Sequence, residues 1–228
     1  FSSAYAGDCI KDLDVPDCFG GDCIKDLDVP DCRIKAEQGN ANAQYNLGLM
    51  YDGRRGVFPD NKEAVKWYRK AAEQGHVEAQ YNLGWMYNKG RGVLQDFKEA
   101  VKWYTKAAEQ GNASAQYSLG RLYNFAIGVL LDIKQAFNLY RKAAVQGHAK
   151  AQYSLGTMYD NDDGFYELYV FPDKNKAFIW YSEAAVQGHA KAQSKLGEMY
   201  FKGQGVLQDD KEAVKWYRKV AEQGSAYA

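Results

Sequence analysis

At 228 residues, 46% hydrophobic and 25% charged, the chain has the composition of an ordinary globular protein of one or two domains. Its 29 basic and 29 acidic residues cancel, so no global field draws it to nucleic acid or to an anionic membrane. No apolar run approaches the roughly 20 residues needed to span a bilayer, which excludes a membrane-spanning helix.

The chain begins at Phe1, not at a methionine, and Ser3–Ala6 reads SAYA before Gly7, a spacing like that of a signal-peptidase site. This leads us to expect an extracellular or periplasmic protein, with the cytoplasm as the alternative. Residues 1–35 form an acidic arm. Gly7–Cys18 (GDCIKDLDVPDC) is repeated letter for letter at Gly21–Cys32. Residues 1–32 hold eight aspartates and two lysines, a net of −6, which leaves +6 for the remainder. All four cysteines lie here, and the duplication favours two local disulfides, Cys9–Cys18 and Cys23–Cys32, over free thiols in a reducing compartment. Each would close a small loop. The spacing does not suit zinc, and the aspartates lack the glycine and final glutamate of a calcium loop, so no metal and no cofactor is expected. Pro16 and Pro30 rule out one long helix.

Arg33–Asn40 (RIKAEQGN) resembles RKAAEQGH at residues 69–76, the end of a second helix in the repeats, so the arm is expected to cap the first repeat. From there the chain repeats itself. Residues 41–76, 77–112, 113–148 and 190–225 are copies of equal length, and 149–189 is a copy with five extra residues. Such a period marks a solenoid. Each copy predicts two helices. In the second copy the first helix is AQYNLGWMY and the second is KEAVKWYTKAA, joined by the glycine turn KGRGV. Asp96 and Glu99 read as a capping box, as do Asp60/Glu63 and Asp209/Glu212, with Asp132/Gln135 preserving the pattern. Gly75, Gly111, Gly147, Gly188 and Gly224 are expected to end the second helices in the left-handed region. Gly84 and its counterparts Gly48, Gly120, Gly156 and Gly197 are expected to let the two helices approach closely.

The run A-x-A-x-x-x-L-G-x-M-Y, G-x-G-V-x-x-D, K-E-A-x-x-W-Y-x-K-A-A-x-x-G resembles the Sel1-like repeat, a relative of the tetratricopeptide repeat, over residues 36–228. The resemblance implies an all-α, right-handed α-solenoid of about five helix-turn-helix repeats that serves as a protein-binding adaptor with no activity of its own. In the related geometry the first helix of each hairpin lines the inner face. Counting from the Leu-Gly pair puts Tyr45, Tyr81, Tyr117 and Tyr153 there, with Asn46 and Asn82 one step on and Trp85 and Arg121 a turn later. Rings beside amides suit an extended peptide.

Two loops depart from the pattern. Residues 125–131 carry Phe125, Ile127 and Leu131, and the five-residue insertion adds Phe165, Tyr166, Tyr169 and Phe171. They read either as an alternative interface or as a local minicore. Catalytic motifs are absent, and His76, His148 and His189 share one repeat position that reads as a helix cap. The chain is thus expected to be a non-enzymatic scaffold whose partner is a protein or peptide. The alternative is a structural subunit binding copies of itself end to end, because the last second helix (Ala213, Trp216, Tyr217, Val220) meets no capping helix in the sequence.

Overall fold

The computed structural model describes residues 29–54, 58–161, 165–166 and 169–225. Cys9, Cys18 and Cys23, and with them the expected disulfides, lie outside the described residues, while Cys32 is buried. Among the described residues the structure is helical without strands, and no helix is long and apolar enough to cross a membrane.

Helix α1 (Val29–Glu37) precedes five hairpins: α2 (Ala41–Leu49) with α3 (Asn61–Glu73), α4 (Val77–Lys89) with α5 (Phe97–Glu109), and α6 (Ala113–Asn124) with α7 (Ile133–Val145). They continue with α8 (Ala149–Asp160) and α9 (Lys174–Val186), then α10 (Ala190–Lys202) and α11 (Asp210–Ser225). Each helix packs on the next in sequence, so contacts stay within a repeat or between neighbours and the chain stacks as an α-solenoid. The boundary drawn at residue 35 falls inside α1. Pro30 stands at its second position, where no intrahelical N–H is needed. Cys32 and Ala36 of α1 are buried with Ala43, Leu47, Met50 and Trp67, so α1 takes the place of a preceding second helix.

The hairpins close tightly because the first helix offers a glycine where the second offers a tyrosine. A Cβ on Gly84 would lie 2.8 Å from the Tyr104 ring, and Gly48, Gly120, Gly156 and Gly197 meet Tyr68, Tyr140, Tyr181 and Tyr217 in the same way. Tyr68, Tyr104 and Tyr181 are fully buried. Of the two turn glycines the second is packed more tightly. A Cβ on Gly92, at φ +73°, would reach 2.2 Å from the Asn61 carbonyl of the preceding repeat.

The capping boxes are only half made. Asp96 accepts from the N–H groups of Lys98 and Glu99, as an N-cap should. Its own N–H, however, donates to the Tyr87 carbonyl at the end of α4, and Glu99 instead accepts from the Trp103 indole. The same aspartate-to-tyrosine backbone bond joins Asp60 to Tyr51, Asp132 to Tyr123, Asp173 to Tyr159 and Asp209 to Tyr200. The cap therefore ties the two helices together as well as starting the second. Gly75, Gly111, Gly147 and Gly188 end their helices at positive φ as expected. Gly224 does not, because α11 runs through it to Ser225.

A buried amide ladder runs through the stack. Gln80 donates to the Ala72 carbonyl of the preceding second helix at 3.1 Å, and its own oxygen accepts from Gln110 at 2.8 Å. Gln44/Gln74, Gln116/Gln146 and Gln152/Gln187 repeat the arrangement. At the last repeat Gln223 donates to the Gly188 carbonyl, and the Gln193 oxygen is left without a partner.

Candidate binding face

The first helices α2, α4, α6, α8 and α10 carry the inner tyrosines side by side, one per repeat in the first four. Each packs against the second-helix tyrosine of its own hairpin: Tyr45 with Tyr68, Tyr81 with Tyr104, Tyr117 with Tyr140, and Tyr153 with Tyr181, at centroid separations of 5.6–6.0 Å. Three of them also stack on the histidine that opens the next repeat: Tyr45 on His76, Tyr117 on His148 and Tyr153 on His189, at 4.5–4.8 Å. The ring orientations are thus fixed from two sides before any partner arrives.

The histidines are caps, as expected. The Nδ1 atoms of His76, His148 and His189 accept from the N–H groups of Ala79, Ala151 and Ala192 at 3.2–3.3 Å. Asn40 and Asn112 do the same with a side-chain oxygen. Burial pushes all three histidines below their ordinary pKa, and nearby Lys150 pushes His148 and His189 further down.

Not every residue expected on this face is accessible. Tyr45, Asn46 and Asn82 are buried, because the first hairpin packs against both α1 and its successor and Asn82 points into the stack. Tyr81, Trp85, Tyr117 and Tyr153 are half-buried, with an exposed side, and Arg121 is exposed. Arg91 lies over the Trp85 ring at 5.6 Å and also holds Asn61 and Asp52 of the preceding repeat.

A cavity of about 380 Å³ opens where α6, α8 and α10 meet. Tyr117, Arg121, Lys150, Tyr153, Ser154 and Lys191 are in its wall. Phe125 and Tyr166 line it too, so the two aberrant loops contribute to the same groove. An adjoining open depression, about 550 Å³, shares Tyr153 and Lys191 and continues over α10 to α11.

The loops split between the two readings given them. Tyr166 and Val170 pack into the core of repeats three and four, Ile127 packs on the core before it, and Asn124 donates to the Tyr166 hydroxyl at 3.3 Å. Phe125, Leu131, Phe165, Tyr169 and Phe171 remain exposed. Phe171 also belongs to a row whose other members the sequence pattern did not single out. Phe58, Leu94, Leu130, Phe171 and Leu207 stand two residues before each N-cap aspartate, and each is at least 87% exposed. Comparing that one position down the repeats would have found them.

Buried acids here are structural. Asp160 accepts from Lys174 at 2.8 Å and from the Tyr181 hydroxyl at 3.1 Å, with Lys195 3.5 Å away. Burial opposes its charge, but the Lys174 bond and the two lysine charges prevail and hold its pKa below the usual value. Among the described residues no group of three or more His, Cys, Asp or Glu side chains is placed to hold a metal ion.

This is the architecture of a stacked helical-hairpin repeat. The chain belongs to the Sel1 repeat family, whose pattern matches residues 41–76, 77–112, 113–148, 149–189 and 190–225, the same five units that the hairpins form. It is similar to c5321, a protective antigen of uropathogenic Escherichia coli with an SLR fold, at 40% identity and a TM-score of 0.81 over 87% of this chain. The match covers 42% of c5321, so the chain spans less than half of that protein's length. A Sel1 repeat protein from Oxalobacter formigenes is 39% identical with a TM-score of 0.75, over 87% of this chain and 75% of that one. A sel1 repeat protein from Klebsiella pneumoniae, 24% identical with a TM-score of 0.52 over 85% of this chain and 92% of its own, shares the fold. No curated protein sequence matches the chain at a significant level. Sel1-repeat proteins are generally non-catalytic scaffolds for protein–protein interaction.

Proposed function

We propose that the chain is a non-enzymatic adaptor that binds a peptide or protein segment along the face made by its first helices. The observation that supports this is the row Tyr81 and Trp85 of α4, Tyr117 of α6 and Tyr153 of α8, all half-buried, the three tyrosines braced by second-helix rings, with a groove opening beside the last two. Braced rings offer large contact area with little rotamer entropy left to lose. Selection of peptides from a displayed random library, followed by binding to Trp85→Ala, Tyr117→Ala and Tyr153→Ala, tests the reading. Truncating an aromatic anchor should weaken binding by about 2 kcal/mol or more while helicity is kept. Unchanged affinity in all three variants would move the site to the exposed loop residues Phe125, Leu131, Phe165 and Phe171.

A second reading rests on α11. Tyr217 is 42% exposed, whereas its counterparts Tyr68, Tyr104, Tyr140 and Tyr181 are at most 2% exposed, and Val214 and Phe201 are exposed beside it. In this reading a second copy covers that side, and an unlike-end contact of this kind propagates into a ring or filament. Light scattering over a concentration series, on the wild type and on Tyr217→Lys, tests it. A monomer throughout in the wild type would end it.

A further inference from the structure

The first-helix face changes character along the stack. In α4 the second residue is Glu78, an acid in the first turn, where the positive end of the helix dipole favours it. In α8 and α10 the same position holds Lys150 and Lys191. A cation there opposes the dipole, so helix stability does not explain either lysine. Both point to the groove, and both line the cavity between α6, α8 and α10. The third cation in that wall is Arg121, at the repeat position held by Trp85 in α4 and Thr157 in α8.

These three charges are not spent within the protein. Among the described residues none of them forms an ion pair, and no carboxylate lines the cavity. The neighbouring charges are spent: Lys195 pairs with Asp160 and Glu198, and Lys202 pairs with Glu198. Around the three cations stand the neutral Tyr117 and Tyr153 hydroxyls, and Ser154, whose hydroxyl donates to the Lys150 carbonyl at 2.9 Å. His148 and His189 stand beside them, depressed mainly by burial and pushed further down by Lys150.

We infer that the groove between α6 and α10 takes an acidic peptide segment, with a carboxylate of the ligand seated among Arg121, Lys150 and Lys191 and its backbone passing over Tyr117 and Tyr153. This rests on the adaptor reading and names the chemistry of its partner. Three uncompensated cations beside fixed rings select by charge and hold by aromatic area. The rest of the face, which carries Glu78 and Trp85, does not share that preference. The partner therefore lies with its acidic part toward the C-terminal repeats.

The test is a random 12-residue peptide library displayed and selected on the full chain, in parallel on wild type and on the triple variant Arg121→Gln, Lys150→Gln, Lys191→Gln. All three substitutions are at exposed positions, and circular dichroism verifies the fold. The expected result is enrichment of Asp and Glu in wild-type selections only. A synthetic enriched peptide should bind the triple variant roughly tenfold more weakly and with less dependence on salt. Peptides that need Tyr153 but show no acidic enrichment, and bind the triple variant equally well, would overturn this inference and leave the adaptor reading standing. Selected peptides indifferent to Tyr117→Ala and Tyr153→Ala would overturn this inference, and indifference to Trp85→Ala as well would overturn both.

Discussion

Gly84 and Tyr104 compete for one volume: a Cβ on the glycine would lie 2.8 Å from a ring that is itself fully buried. Two effects oppose each other in Gly84→Ala. Alanine in a helix interior gains about 1 kcal/mol over glycine. Overpacking costs about 1–3 kcal/mol, and the Tyr104 ring has no solvent side to retreat to. With no room for the ring to yield, the clash wins, and Gly84→Ala should lower stability by up to about 2 kcal/mol in urea unfolding. Gly48→Ala should cost more, because its Cβ would lie 2.4 Å from the Tyr68 ring. Gly197→Ala should be neutral or mildly stabilising, since Tyr217 is 42% exposed and can swing aside. Equal effects at the three sites would show that the ring contact is not what fixes glycine there.

The caps predict a pH dependence. His148 and His189 accept a backbone N–H through Nδ1, so they must be neutral there, and burial depresses both. The unfolded chain, with histidine near 6.5, therefore takes up protons first as the pH falls. Their contribution to stability is fully present above pH about 6.5 and is lost as the pH falls through the lower folded-state values. His148→Asn with His189→Asn supplies the cap that Asn40 and Asn112 use elsewhere. The loss of Tm between pH 8 and pH 5 should shrink in the double variant. If that loss is the same as in the wild type, the histidines are not the groups responsible.

How much of the molecule is legible in its sequence depends on how far apart the partners stand along the chain. The hairpins, their boundaries and the close approach at Gly84 follow from patterns a few residues long. The amide ladder does not, because Gln80 and Gln110 are 30 residues apart and each looks like an ordinary polar residue at a helix end. The reciprocal half of the capping box is expected from Asp96 and Glu99 alone. The nearby Tyr87 carbonyl takes that N–H only once the hairpin has closed. Of the groove cations, Arg121 is found by counting from Leu119-Gly120. Lys150 and Lys191 escape that count because they occupy a variable position, and their lack of carboxylate partners is visible only in three dimensions.

The ladder itself makes a graded prediction. Gln116 donates to the Ala108 carbonyl at 3.1 Å in a buried bond and accepts from the exposed Gln146 at 2.8 Å. Gln116→Leu removes two bonds, but the Ala108 carbonyl keeps the Gly111 N–H and the exposed Gln146 keeps the Lys142 carbonyl, so each lost bond costs about 0.5–1.5 kcal/mol. Gln193 bonds to the Ala185 carbonyl, but its oxygen has no partner, so Gln193→Leu breaks one bond and removes one orphan. Urea unfolding should show Gln116→Leu as clearly the more damaging change. The reverse order would mean that the ladder adds nothing beyond the single backbone bond.

The insertion of repeat four separates the two surfaces by mutation. Tyr166 packs into the core, accepts from Asn124 and lines the groove. Phe171, five residues on, is 87% exposed and does not line it. If the partner lies in the groove, Tyr166→Ala removes part of the wall that confronts it. Affinity for a selected peptide should then fall by about 1–2 kcal/mol, with some loss of stability from the vacated core volume. Phe171→Ser should change neither binding nor stability by more than about 0.5 kcal/mol, as an isolated surface substitution. Tyr166→Phe supplies the control: it keeps the ring and loses only the hydroxyl, so binding should stay near wild type if ring area is what matters. Fluorescence anisotropy with one labelled peptide measures all three. A loss of binding confined to Phe171→Ser would place the contact on the exposed loop row and not in the groove.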